Sequence, residues 1–203
     1  MKNKIKALFF DLGNVLVMFD AGRALKKFSK AFHVSEEVLW KELFQSDLER
    51  AYTRGEISSE DFFKGLKKKF PNSLSFEEFE HIWNDIFWKN EGMEELVEEL
   101  SESYKLYLIS NTNRLHFDYI KKNFPVLKHF DICFPSHEVG SRKPDPEIYY
   151  HVLQKTGFKP EEIIYTDDVA EFIQTARDLG IQSVLFASKD QFVSEMKKLG
   201  VHI

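Results

Sequence analysis

Four polar groups in this chain have the residue types and spacing for chemistry on a phosphate. The first is Asp11. It ends an apolar run over residues 5–10, long enough for one buried strand, and Gly13-Asn14 turns the chain at once. That sets one carboxylate at the carboxyl end of a strand, the edge where open parallel α/β sheets bind ligands. The second group, Ser110-Asn111-Thr112-Asn113, closes another apolar run and opens a helical period. Its hydroxyl, its amide and the free N–H groups of a helix start suit a phosphate. The third is Gly140-Ser141-Arg142-Lys143-Pro144-Asp145-Pro146. Pro144 and Pro146 suit the first turn of a helix, which fixes where the compact cation of Lys143 leaves the backbone. The fourth is Asp167-Asp168, after the apolar strand ending IIYT. Adjacent acids repel each other unless a cation or donors compensate, and hard oxygen ligands suit Mg²⁺. Singly, each group is explained by a turn, a helix cap or a solvated lysine. Together they supply a carboxylate nucleophile, phosphate donors, a lysine and a metal site, which is the equipment of phosphoryl transfer.

The elements that must position them alternate. Strands are expected over residues 5–10, 104–109, 130–134, 162–166 and 182–186, with helices over 94–100, 114–124, 144–155, 170–179 and 191–199. Five strands separated by helices imply an α/β fold with a parallel sheet. Between the first strand and the rest, residues 20–88 show no strand pattern, only helical periods over 24–32, 35–45, 58–70 and 75–88. In the last of these Phe76, Phe79, Trp83 and Phe87 form one apolar stripe. The division expected is a core domain of residues 1–17 and 90–203 and a helical insertion of residues 18–89. Beside the ligand edge of a sheet, such an insertion is placed to be a lid.

Composition narrows the class. A chain of 203 residues fits one domain, or a domain plus an insertion. The net charge of -5 gives no electrostatic reason to expect nucleic acid. Cys133 is the single cysteine, so a disulfide framework or a thiolate zinc site is excluded; it reads as a small buried residue of a strand. The basic start at residues 1–6 leads into an apolar run too short for a signal peptide or a membrane span. A cytoplasmic monomer or weak dimer acting on a small molecule is expected. The 20 phenylalanines, many at helical spacing, read as packing. Arg54-Gly55-Glu56 reads as a solvated turn between helices, His116 as structural, and Trp40, Trp83 and Trp88 as core of the helical insertion.

The order of the four groups resembles the haloacid dehalogenase-like (HAD) superfamily. FFDLGNVLV is similar to its first motif, ISNTN to its second, GSRKPDPEIYY to its third and YTDD to its fourth. The resemblance covers essentially the whole chain. It implies a Rossmannoid five-stranded parallel sheet with an inserted helical cap of the C1 type. Within the family, DLGNV, SNTNRLH and RKPDPEIY are most similar to bacterial sugar-phosphate phosphatases, including the alpha-glucose-1-phosphate phosphatases. The roles it implies are Asp11 as nucleophile and Mg²⁺ ligand, Gly13 as a backbone-carbonyl ligand, and Ser110 and Asn111 as holders of the phosphoryl group. Lys143 pairs with that group and with Asp11. Asp168 is the acidic metal ligand, with Asp167 beside it, through a water or behind the ligands.

Two positions depart from the family pattern. Most family phosphatases carry a second Asp two residues after the nucleophile, as general acid and base; here that residue is Gly13. Four residues after the metal-binding Asp, the family's usual Asn or Asp is replaced by Phe172, with Glu171 next to it. The expected activity is a Mg²⁺-dependent phosphatase for a small phosphorylated metabolite such as a sugar phosphate, acting through an aspartyl phosphate. The competing readings are a haloacid dehalogenase, in which Asp11 attacks carbon without metal, and a phosphoacceptor or catalytically weak protein of the same fold.

Overall fold

The structure, a computed structural model, describes residues 5–203. The expectation about a leader at residues 1–6, and the start of the 1–17 segment, therefore fall partly outside the described residues. Strand β1 (Ala7–Phe10) is followed by a short strand β2 (Val17–Phe19). Five helices come next: α1 (Ala21–Phe32), α2 (Glu36–Phe44), α3 (Asp47–Thr53), α4 (Ser59–Lys69) and α5 (Phe76–Asn84). The chain returns through β3 (Phe87–Lys89) and continues as α6 (Met93–Ser101), β4 (Lys105–Ser110) and α7 (Arg114–Asn123). Then follow β5 (Ile132–Pro135), α8 (Ser136–Val139), α9 (Pro146–Thr156), β6 (Ile163–Asp167), α10 (Ala170–Asp178), β7 (Gln182–Leu185) and α11 (Lys189–Lys198).

The main sheet has the order β5-β4-β1-β6-β7, parallel throughout. This is the five-stranded α/β sheet expected. Its strands are apolar on both faces because helices cover both. Leu8 and Phe10 join one core with Leu106, Leu108 and Ile164, while Ala7 and Phe9 join the other with Tyr107, Ile109 and Tyr165. Strand β1 lies in the middle. The chain runs outward to β4 and β5 on one side and to β6 and β7 on the other, so the strand order reverses at β1. A crevice opens beyond the carboxyl ends of strands at such a point.

Helices α1 to α5 start where the sequence supplies a cap. Asp20, Ser35, Ser46, Ser58 and Ser75 each accept a hydrogen bond from a backbone N–H in the first turn of the helix that follows. Each such cap contributes on the order of 1 kcal/mol. The helices enclose their own aromatic core, in which Phe28 stacks on Phe79 at 5.2 Å between centroids and Phe79 on Trp83 at 5.8 Å. No helix among the described residues is long and apolar enough to cross a membrane.

Several sequence expectations need correction. Residues 20–88 are not free of strand: Val17–Phe19 pairs antiparallel with Phe87–Lys89, and this ribbon closes the helical segment at its base. The last helical period therefore stops at Asn84, and Phe87 belongs to the ribbon. Helix α3 was not expected. Trp88 and Trp40 are not core; they are 42% and 43% exposed, Trp88 on the ribbon and Trp40 on the outer side of α2 against Phe44. Pro144 does not open a helix. Asp145 N donates to Arg142 O in a turn, and the helix begins at Pro146. The Arg54-Gly55-Glu56 turn is docked, not solvated: Arg54 pairs with Asp145 at 3.1 Å, and a side chain on Gly55 (φ 72°) would begin 2.0 Å from the His137 carbonyl oxygen.

Candidate active site

Asp11 is the first residue past the central strand, anchored by its own N–H donating to Thr166 O at 2.9 Å. Asp167 ends the neighbouring strand β6, and Ser110 ends β4 on the other side. Lys143 enters from the loop after α8. Its Nζ donates to Asp11 Oδ1 at 2.6 Å, to Asp167 Oδ2 at 2.6 Å and to the Ile109 carbonyl at 3.0 Å. The ammonium is 1% exposed and lies 5.1 Å from the centroid of the Phe172 ring. Its backbone is fixed by Asn111, whose amide donates to Lys143 O and accepts from Lys143 N, both at 2.7 Å. Asn111 thus holds the lysine with its side chain, and both it and Ser110 line the adjoining cavity.

The two adjacent acids have different surroundings. Asp167 is fully buried, accepting from Lys143, from the Tyr165 hydroxyl and from Val169 N at 2.8 Å. Asp168 is half-buried and accepts from Asn14 Nδ2 at 3.0 Å. Asn14 holds the left-handed backbone of the turn after Asp11 (φ 55°), which the Gly13-Asn14 pair anticipates. Asp11, Asp167 and Asp168 each offer one carboxylate oxygen, and these oxygens lie within 4.8 Å of one another. Glu171, exposed on α10, is outside this cluster.

The electrostatics follow from counting. Three carboxylates and one ammonium sum to -2 when all are ionised, in a place largely removed from water. Burial pushes Asp11 up to about 7; Lys143 opposes this, and the Asp167 carboxylate adds to it. Burial also raises Asp168, with Asn14 pulling the other way. For Lys143, burial works against the charge, but Asp11 and Asp167 outweigh it and hold the ammonium above its ordinary range. One base shared between two buried acids leaves the cluster short of positive charge, and Asp11 titrates high. A divalent cation would supply the missing charge, and an all-oxygen donor set suits Mg²⁺.

A cavity of about 230 Å³ adjoins this edge, floored by Gly13, Ser110 and Asn111 and walled by residues of β2, α2, α3 and α5. The helical segment is tied down over it. Arg142 Nη1 donates to both Glu49 oxygens at 3.0 and 3.2 Å and to Thr53 Oγ1 at 3.0 Å, and Ser136 Oγ donates to Thr53 O at 2.6 Å. His116, expected to be structural, lies in the cavity wall. It is buried, bonded to Asn113 and to Trp83 O, and stacked on Trp83 at 4.7 Å. Burial lowers its pKa to about 3, so the ring is neutral. The structure therefore brings Asp11, Gly13, Ser110, Asn111, Lys143, Asp167 and Asp168 to one crevice. Sequence reasoning missed Asn14, Glu49, Thr53 and Arg142. Of these, Asn14 and Arg142 lie inside motifs already singled out, while Glu49 and Thr53 sit on the unexpected helix α3.

Comparison with known proteins gives a consistent picture. The family described as haloacid dehalogenase-like hydrolase matches residues 17–186. The D-ribitol-5-phosphate phosphatase of Bacteroides thetaiotaomicron is 25% identical over 186 residues, covering 88% of this chain and 90% of its own length. The drimenol cyclase of Aspergillus calidoustus is 26% identical over 203 residues, or 96% of this chain, and this chain spans 36% of that protein. Among solved structures, a HAD family enzyme from Bacteroides thetaiotaomicron in complex with magnesium and inorganic phosphate superposes with a TM-score of 0.83. It is 28% identical, over 91% of this chain and 96% of that one. The chain belongs to the haloacid dehalogenase-like hydrolase family.

Proposed function

We propose that this haloacid dehalogenase-like hydrolase is a Mg²⁺-dependent phosphatase of a small phosphorylated metabolite. The observation that carries the reading is the buried cluster of Asp11, Asp167, Asp168 and Lys143 at the end of the central strand, with its uncompensated charge. In this reading Asp11 attacks phosphorus with one carboxylate oxygen. The bond to the leaving oxygen breaks, and the alcohol departs. Water then cleaves the aspartyl phosphate, releasing inorganic phosphate and restoring Asp11. Ser110 Oγ and the main-chain N–H of Asn111 hold the phosphoryl oxygens. Lys143 keeps Asp11 aimed and adds positive charge where negative charge builds up. Asp11, the Gly13 carbonyl and Asp168 would hold Mg²⁺, and Asp167 would support them from behind through Lys143 and Tyr165. When bound, the cation supplies charge neutralisation for the transferring group. Residues 18–89 act as the cap over a core of residues 1–17 and 90–203.

The phosphatases among the relatives favour a phosphate ester as the substrate class. A dehalogenase needs no metal, which the three-carboxylate cluster argues against. A receiver-like phosphoacceptor keeps its acidic pair after the first strand, whereas here the pair follows β6. The test is a screen of phosphate monoesters with Mg²⁺ and with chelator, paired with Asp11→Asn. Turnover should need the metal and fall by about a thousandfold or more in the variant. Full metal-dependent turnover by Asp11→Asn overturns the mechanism.

A further inference from the structure

Resting on that phosphatase reading, we propose that the substrate is the phosphate ester of an apolar, single-ring phenol or enol, and that Phe19 selects it. Two independent observations meet here. The first is that, among the described residues, no carboxyl, imidazole or phenol in the cavity wall is free to give a proton to the leaving group. Position 13 carries no side chain, and its space is already taken: a Cβ there would lie 2.9 Å from Cε1 of Phe19. The other titratable side chains in the cavity wall are engaged. Both Glu49 oxygens accept from Arg142, both His116 ring nitrogens are bonded, and the Tyr52 hydroxyl bonds Ser59 Oγ at 2.8 Å. When the phosphorus–oxygen bond breaks, the electron pair stays on the leaving oxygen, which takes its proton from water. Such a site favours an oxygen that is stable as an anion, as in a phenolate or enolate.

The second observation is the cavity itself. Its wall is mostly apolar and includes Phe19, Leu43, Phe44, Trp83, Ile86 and Phe87. Its polar side chains serve one another: Asn111 is bonded to Lys143, Asn113 to His116, and Glu49 and Thr53 to Arg142. Among the described residues, what remains is the Ser110 hydroxyl, the Arg142 groups other than Nη1, and the indole N–H of Trp83. A polyol, with a donor and an acceptor on every hydroxyl, finds few partners in such a wall. A volume of about 230 Å³ equals about eight waters at roughly 30 Å³ each, enough for one ring beside the phosphate.

The experiment compares phenyl phosphate, benzyl phosphate, glycerol 3-phosphate and glucose 6-phosphate as substrates of the Mg²⁺-loaded enzyme, reading kcat/KM, with Asp11→Asn as control. Phenyl and benzyl phosphate share an apolar body and differ in the acidity of the leaving alcohol. A positioned general acid is worth about 10²- to 10⁴-fold, so its absence should favour phenyl over benzyl phosphate by about tenfold or more. Both aromatic esters should exceed both polyol esters. In the double variant Gly13→Asp with Phe19→Ala, an acid regains its place and the phenyl-to-benzyl ratio should shrink. Equal rates for phenyl and benzyl phosphate, or a polyol phosphate matching the aromatic esters, overturn the inference and leave the phosphatase reading standing. Absence of any Asp11-dependent hydrolysis across the set overturns the phosphatase reading instead.

Discussion

Replacing Lys143 by Met should turn a partly compensated centre into an electrostatically frustrated one. The methionine stem fits the apolar part of the lysine path beside Phe172, so packing changes little. The charge balance changes completely. Asp11 and Asp167, 8% and 0% exposed, lose the cation that bonds them both. Breaking a buried ion pair from one side costs about 3–5 kcal/mol. At about 2–4 °C per kcal/mol for a chain of this size, the midpoint of thermal unfolding should fall by about 6–20 °C at pH 8 in chelator. The sign of the pH dependence follows from burial. Asp11 already titrates above its ordinary 3.8, because burial raises it more than Lys143 lowers it, and without Lys143 it is pushed higher. The folded variant then binds protons that the unfolded chain releases, so its deficit against wild type shrinks as pH falls from 8 toward 5. Removing one of the two charges, in Lys143→Met with Asp167→Asn, should recover part of the loss. Thermal unfolding followed by circular dichroism reads all of this. A deficit equal at pH 5 and pH 8, or a double variant no better than the single one, refutes the reasoning.

Two further outcomes are expected. His116 is held neutral with a pKa of about 3 against 6.5 when free, so its stabilising contribution is complete above pH 6.5 and is lost as pH falls toward 3. Between pH 7 and pH 5 that is about 2 kcal/mol, and urea unfolding of His116→Asn should lack this part of the wild-type slope. Glu49→Gln and Arg142→Gln should each weaken the seat of α3 on the core. Because the Arg142 side chain is 23% exposed, a double-mutant cycle should give a coupling of only about 1–2 kcal/mol, and an additive pair would mean the contact holds nothing.

The sheet and its ligand edge were legible because their signals are local. Each strand is a short apolar run, and each functional group follows such a run directly: Asp11 after β1, Ser110 at the end of β4, Asp167 at the end of β6. An apolar run and a polar stop are visible in a handful of positions. Strands β2 and β3 were illegible for the opposite reason. Each has three residues, too few for a period, and Val17 finds its partner at Lys89 on the far side of the helical segment. Helix α3 has seven residues, and its cap, Ser46 bonded to Glu49 N, is a signal visible only once one knows to look. Trp40 and Trp88 show the limit of a rule that hydrophobic residues lie inside, since that rule runs only one way.

The seam between helices and sheet was unreadable in a deeper sense. It consists of polar pairs whose partners lie 93, 91 and 83 residues apart: Arg142 with Glu49, Arg54 with Asp145, Ser136 with Thr53. Nothing near Glu49 marks it as buried, and an acid on a short amphipathic helix reads as solvated until Arg142 arrives. The same holds for Gly13. Its sequence neighbours mark a turn, and only the return of the chain through β2 shows that Phe19 fills the space a side chain would need. What a strand end presents is therefore written beside it, whereas what faces it across the cavity is written in residues that meet only after folding. In the proposed reaction, attack at phosphorus depends on the first set and discrimination among leaving groups on the second, so the sequence says more about that reaction than about its substrate.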